Sequence, residues 1–200
     1  MTVLGYRTVL VTSDTTRYRS SQVHVSIAGE ADLEAIAVLV NSGYRGDTSR
    51  AGWTTEADLI GGQRTDAAKL RADLAERRGA VLLTLREGPG GELLGSVWLE
   101  PQTPDVWYLG MLTVRPDLQA RQLGRTLLAE AEAYAAARGA RRMRMSVITV
   151  RDALIAWYER RGYARTGETL PFPYGDERFG LPLREDLRFD VFEKTLERSR

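Results

Sequence analysis

The run Leu112-Thr113-Val114-Arg115-Pro116-Asp117-Leu118-Gln119-Ala120-Arg121-Gln122-Leu123-Gly124-Arg125-Thr126-Leu127-Leu128 constrains this chain most, because it passes from an apolar strand through a proline turn into a basic, glycine-containing helix start. Residues 106–114 are apolar on both alternating faces, the pattern of a strand covered on both sides inside a sheet. Pro116 stops that strand, and Leu123, Leu127, Leu128, Ala131 and Ala135 then recur at helical spacing until Gly139 ends the run. A helix N-terminus therefore opens over residues 119–124. Its unpaired N–H groups and the positive end of its dipole can hold a phosphate diester, so the stretch reads as a pyrophosphate cradle. Arg121 and Arg125 add charge, and Gly124, with no Cβ, lets a ligand or a packed strand come close. The same stretch also fits an ordinary βα unit with solvated arginines, and the rest of the chain has to decide.

Several classes of chemistry are excluded by what the chain lacks. It has no cysteine, which removes disulfides, thiolate metal sites and cysteine nucleophiles, and fits a reducing cytoplasm. Its one histidine, His24, lies in Val23-His24-Val25-Ser26-Ile27, a first strand where a surface or satisfied histidine is expected. A Ser/His/Asp hydrolase therefore lacks its base, and no metal site is expected. A formal net charge of +1 does not supply the concentrated basic face that nucleic acid requires. No apolar run approaches transmembrane length, so the reading is a soluble cytoplasmic protein with neither nucleic acid nor membrane as partner. At 200 residues and 43% apolar content, one domain with a substantial core is expected over residues 22–196. Residues 1–21 are a Thr/Ser/Arg-rich extension, read as a disordered arm or an added edge strand.

Along the chain, residues 23–28 form a strand, and Leu33, Ile36, Ala37 and Val40 mark a helix. A long polar loop carries Trp53 and Glu56 and gives way after Thr65 to a second helix that Gly79 stops. Residues 80–86 and 93–100 make a hairpin, followed by the central strand and the cradle helix. Alternation of Met143, Met145 and Val147 gives a further strand. Thr149-Val150-Arg151-Asp152 reads as a capping box opening a helix that aligns Arg151, Leu154, Ile155 and Tyr158. Two last strands, residues 163–170 and one marked by Leu187, Phe189 and Val191, flank an aromatic, proline-rich connection over residues 171–182.

Two motifs in this order resemble the GNAT superfamily of acyl-CoA-dependent N-acyltransferases. Val114-Arg115-Pro116 with Gln119-Ala120-Arg121-Gln122-Leu123-Gly124 is similar to the family's Gln/Arg-x-x-Gly-x-Gly/Ala, and Tyr158-Glu159-Arg160-Arg161-Gly162-Tyr163 to its Tyr-x-x-x-Gly-Phe/Tyr. The resemblance implies an α+β (mixed α/β) GNAT fold, a central twisted, mixed, mostly antiparallel sheet of about seven strands flanked by about four helices. It implies acetyl-CoA as the cofactor, held by Leu112, Thr113 and Val114 through backbone groups, by Gln119, Ala120, Arg121, Gln122, Leu123, Gly124, Arg125 and Thr126 at the pyrophosphate, and by Arg151 and Tyr158. It further implies direct acetyl transfer to a primary amine in a ternary complex. In that scheme the Leu112 N–H holds the oxyanion and Tyr158 serves as acid.

The base stays open, because Gly110 and Met111 stand near the place where relatives carry Glu or His. Glu56 and Glu100 are candidates, or Tyr108 through a water. Gln122 replaces the motif's first glycine, which an already helical backbone would tolerate, and Arg151 replaces a common asparagine. Trp53, Glu56, Tyr108, Phe172 and Tyr174, with Phe179, are expected to form an acceptor pocket for a small-molecule amine. Acetylation of a protein or peptide is the alternative, as is a non-catalytic acyl-CoA sensor of the same fold. A homodimer through the edge of the C-terminal strand, residues 187–193, is a further expectation.

Overall fold

A computed structural model describes residues 8–9 and 23–197. The elements read from the sequence occur in the order expected, with two short strands added, one in the long loop and one in the aromatic connection: β1 (Thr8–Val9), β2 (Val23–Ile27), α1 (Leu33–Tyr44), β3 (Ile60–Gly61), α2 (Ala67–Glu76), β4 (Val81–Glu87), β5 (Leu93–Pro101) and β6 (Val106–Val114). There follow α3 (Leu123–Ala136), β7 (Arg142–Ile148), α4 (Asp152–Glu159), β8 (Ala164–Pro171), β9 (Leu181–Pro182) and β10 (Arg188–Thr195). Apart from β1, which pairs with β2, the N-terminal extension lies outside the described residues. No helix among the described residues is long and apolar enough to cross a membrane.

One mixed sheet runs in the order β1-β2-β4-β5-β6-β7-β10-β8, and its pairs are antiparallel except β6 with β7. Alternation along the strands places helices on both faces. Leu83, Leu85, Val97 and Leu99 face Leu123, Leu127, Leu128 and Ala131 of α3, whereas Leu82 and Trp98 face Leu33, Ile36, Val40 and Leu70 of α1 and α2. A third, smaller cluster joins Ile60, Ile148, Phe172 and Leu187 where β3 pairs with β9, so the long loop and the aromatic connection meet.

Two local expectations are corrected. Residues 187–193 do not form a free edge, because β10 is paired on both sides, with β7 and with β8; the edge is β8, exposed along its whole length. No capping box forms at residues 149–152, since Arg151 is the N-cap without a side-chain bond and the Thr149 N–H donates to Arg188.

The central feature is a splay between parallel neighbours. β6 and β7 pair only at Val106 with Arg142, Trp107 with Met143 and Tyr108 with Arg144, then separate. On its other side β6 jumps register against β5: Ser96 faces Thr113 and Trp98 faces Gly110, so Met111 and Leu112 oppose Val97 alone. This is a β-bulge, which bends the strand that carries it. Met111 adopts φ 48°, a left-handed conformation that costs a side-chain-bearing residue about 1–2 kcal/mol. Such stored strain is found where a site needs the backbone re-aimed.

Candidate active site

Two chambers open on either side of the splay. The narrower is lined by Trp53, Thr54, Val114, Gln119, Gln122, Gly124, Arg125, Trp157 and Arg161. The wider, about 460 Å³, is lined by Arg45, Glu56, Arg64, Tyr108, Met145, Phe172 and others. Tyr44, Leu112, Arg151, Leu154 and Tyr158 line both, so they form the junction. Such a volume suits a small molecule.

The narrow chamber is built from the loop after the bulge. Residues 116–121 make a tight 3-10 turn, and Gln122 then adopts φ 59°, ψ 10° before α3 begins at Leu123. The helical backbone expected at Gln122 is therefore corrected to a left-handed one, the conformation in which a glycine is free of strain. The turn is tied to the long loop. Gln119 Oε1 accepts from the Trp53 N–H at 2.9 Å and its Nε2 donates to Thr54 Oγ1 at 2.8 Å. Gly52 permits this approach, because a Cβ there would sit 2.7 Å from Gln119 Oε1. By contrast a Cβ on Gly124 would meet Trp157 at an ordinary 3.6 Å. Packing does not demand glycine at position 124; what its absent side chain leaves is room in the chamber. Arg161 lies 3.6 Å above the Trp157 ring, and Trp53 packs 6.3 Å from the same ring.

Not every residue expected at the cradle lines it. Leu112, Val114, Gln119, Gln122, Gly124, Arg125, Arg151 and Tyr158 do. Thr113 is buried, with its hydroxyl donating to Met111 O at 3.0 Å. Leu123 is a core residue, and Ala120 and Arg121 are exposed outside the chamber. Thr126 lies beyond it, its hydroxyl 3.5 Å from Gln122 O. Arg161 and Trp157 join the set instead. A Trp near the end of α4 followed four residues later by Arg in the turn beyond it was the available signal.

At the junction, Tyr158 is buried, with its ring edge-on to Trp157 at 5.0 Å. Burial, with Tyr44 next to it, pushes its hydroxyl far above the ordinary tyrosine value, so it keeps its proton. Tyr44 donates to Leu112 O at 3.3 Å and is itself raised by burial and by Glu56. That contact holds the bulge peptide against α1.

Glu56 is enclosed by cations. One oxygen accepts from Arg45 and the other from Arg151 Nη1 at 2.6 Å, while Arg151 Nη2 donates to Thr54 O. Burial alone pushes this carboxyl up, but Arg151, Arg45 and Arg64 together outweigh it and hold it below its ordinary value. Glu56 thus has both oxygens engaged by arginines and is held in its charged form, an arrangement that argues against the expectation that it takes the amine proton. Glu100 is also engaged, accepting from Arg77 at 3.0 Å and from Trp98 Nε1 at 2.8 Å. Tyr108 lines the wide chamber with its hydroxyl 2.9 Å from Ser146 Oγ.

Of the expected acceptor residues, Phe172, Phe179 and Tyr108 line the wide chamber beside Glu56. Two do not. Trp53 lines the narrow chamber, and Tyr174 lies outside both, its hydroxyl donating to Arg184 O at 3.0 Å and accepting from the Leu187 N–H at 2.8 Å. No group of three or more His, Cys, Asp or Glu residues that would hold a metal occurs among the described residues.

The profile of the acetyltransferase (GNAT) family matches residues 50–163. No curated protein matches the chain. Among solved structures it is similar to YncA of Salmonella typhimurium, solved with its cofactor acetyl-CoA, with TM-score 0.63 and 19% identity over 88% of this chain and 95% of that one. It is also similar to the ribosomal-protein-S18-alanine N-acetyltransferase of Escherichia coli, with TM-score 0.63 and 17% identity over 89% and 96% of the two chains. An IAA acetyltransferase from Bacillus cereus aligns with TM-score 0.61 and 15% identity over 87% and 99%. At these identities the likeness is one of fold.

Proposed function

The chain belongs to the acetyltransferase (GNAT) family, which uses acetyl-CoA, and from that premise we propose that it is an N-acetyltransferase acting on the primary amine of a small molecule by direct attack in a ternary complex. The observation that carries this reading is the junction. A narrow chamber with a cationic mouth and a wide chamber of small-molecule size meet at Leu112, Arg151 and Tyr158. Acetyl-CoA, when bound, supplies an activated thioester carbonyl and a leaving thiolate.

The chain's own groups fit that partner. Arg125 and Arg161, which line the narrow chamber, and the N–H groups at the start of α3 would hold the phosphates. Gly124 and the gap between β6 and β7 accommodate the narrow arm. The Leu112 N–H, at the bulge, would donate to the thioester carbonyl oxygen as it gains charge. Tyr158 donates a hydrogen bond to the departing sulfur. Its raised proton affinity makes it a steady donor that does not surrender its proton. With no cysteine to carry the acetyl group, the amine nitrogen attacks directly: the N–C bond forms, the C–S bond breaks, and one amine proton ends on the thiol. The Tyr108–Ser146 hydroxyl pair lines the wide chamber and offers a separate route to solvent for the proton that an ammonium acceptor sheds before it attacks.

Calorimetric titration with acetyl-CoA, followed by free-thiol release against small amines and peptides, tests the proposal. Binding with release driven by small amines is expected. Release driven by peptides alone would reassign the acceptor to a protein terminus, and binding without release by any acceptor would leave an acyl-CoA sensor.

A further inference from the structure

Charge in the wide chamber is lopsided. Its wall carries three arginines, Arg45, Arg64 and Arg151, against one carboxylate, Glu56. Arg45 and Arg151 both form ion pairs with Glu56, whereas Arg64 acts on that carboxylate only at longer range, so the wall keeps a net positive charge. The Arg64 guanidinium lies 6.0 Å from the centre of the Tyr44 ring, and no carboxylate of the described residues pairs with it. Its root is fixed. The Arg64 N–H donates to Asn41 Oδ1 at 2.7 Å, and Asn41 Nδ2 donates to Thr65 O at 2.7 Å. Arg45 adds a second unmet donor, since its buried Nε has no acceptor. The adjoining opening carries Asp73 and Glu100 as well as Lys69, Arg77 and Arg178, but both carboxylates pair with Arg77, and Lys69 is held below its ordinary value by burial and then by Arg64.

Beside the hydroxyls of Tyr44, Tyr108, Ser146 and Tyr158, the wall has an apolar stretch of Met145, Ile148, Leu170, Phe172 and Phe189. A small cationic amine would meet repulsion here and find no free carboxylate. An amine that also carries an anion would be drawn in, and the same positive field favours its neutral, nucleophilic amine over the ammonium. That second effect offsets the lack of a free basic side chain at the junction.

We infer that the acceptor is an α-amino acid with an apolar side chain, whose carboxylate pairs with Arg64 while its side chain lies along the Met145, Ile148 and Phe172 wall and its amine faces Leu112 and Tyr158. This rests on the acyl-transfer reading above and adds the class of acceptor. The reaction is the same amide formation, with the carboxylate unchanged.

The test compares L-phenylalanine with L-phenylalaninamide and phenethylamine in the thiol-release assay, with leucine and isoamylamine as a second pair. The acid is expected to exceed its carboxylate-free counterparts in kcat/KM by about 10- to 100-fold, the range for a hydrogen bond between charged groups. Arg64→Gln should erase that preference and leave the affinity for acetyl-CoA unchanged, while Arg64→Lys should restore part of it. Equal use of acid and amide by the natural chain, or a preference that survives Arg64→Gln, would overturn the inference. Should no acceptor release thiol, calorimetry with N-acetyl-L-phenylalanine and its amide in the presence of CoA decides. Tighter binding of the acid, lost in Arg64→Gln, upholds the carboxylate site even though transfer fails, and no preference rejects it.

Discussion

Replacing Glu56 by glutamine separates a structural carboxylate from a catalytic one. The Glu56 side chain is 7% exposed, and its partners Arg45 and Arg151 are 5% and 9% exposed. Removing its charge leaves two guanidinium groups out of water with nothing to neutralise them. Breaking a buried pair in this way costs about 3–5 kcal/mol. Glutamine keeps the shape and one oxygen that can accept from one arginine, which places the expected loss near the lower end, about 3 kcal/mol. For a chain of this size that lowers Tm by roughly 6–12 °C, and the urea midpoint by roughly 1–2 M.

The loss should also depend on pH with a defined sign. The folded carboxyl is held below its ordinary value near 4.5, so its stabilisation is complete above that value and disappears as pH falls through the folded one. The gap between the natural chain and Glu56→Gln should therefore be constant at neutral pH and close only in acid. A double-mutant cycle with Arg151→Gln should reveal coupling, since the second loss costs less once the first partner is gone. Urea melts by tryptophan fluorescence at several pH values read all of this. An unchanged midpoint, together with loss of the acidic limb of the kcat/KM profile, would refute the reasoning and restore Glu56 as a base.

Tyr158→Phe should lower kcat about 100-fold with acetyl-CoA affinity intact by calorimetry; a loss of affinity with normal kcat would remove it from the chemistry. Gln122→Gly relieves a left-handed residue, worth about 1–2 kcal/mol, against about 0.5–1 kcal/mol of added chain entropy. The variant should melt a degree or two higher, and a lower Tm would show that the Gln122 side chain itself stabilises the turn. Arg125→Ala should weaken acetyl-CoA more than it weakens an acetylated pantetheine lacking the phosphates, whereas Arg121→Ala should affect neither, because Arg121 is exposed outside the chamber. Equal weakening of both ligands by Arg125→Ala would argue against phosphate binding there.

The alternation of Met143, Met145 and Val147 and the helical spacing of Leu123, Leu127 and Leu128 marked a strand and a helix, because side-chain direction along a strand or helix is a local consequence of backbone geometry. The run from Leu112 to Gly124 likewise marked the strand, the turn and the helix start that line the narrow chamber. Edge and interior strands were not readable: β10 alternates like an edge strand yet sits between β7 and β8, since pairing depends on where the chain returns and not on the strand's own residues. The left-handed backbones of Met111 and Gln122 were equally hidden, because neither residue favours that conformation and only the surrounding packing imposes it.

The wide chamber was the least legible part. Glu56 meets Arg45 from 11 residues away and Arg151 from 95 away, and no spacing rule links charges that come together only through space. Sequence alone determined which residues could form strands, helices and a phosphate-facing turn, for these follow from local sterics and hydrophobic period. Tertiary structure alone decided which carboxylate is neutralised and which arginine is left over, because ionic pairing in a low-dielectric interior depends on distance and burial that only the folded chain supplies.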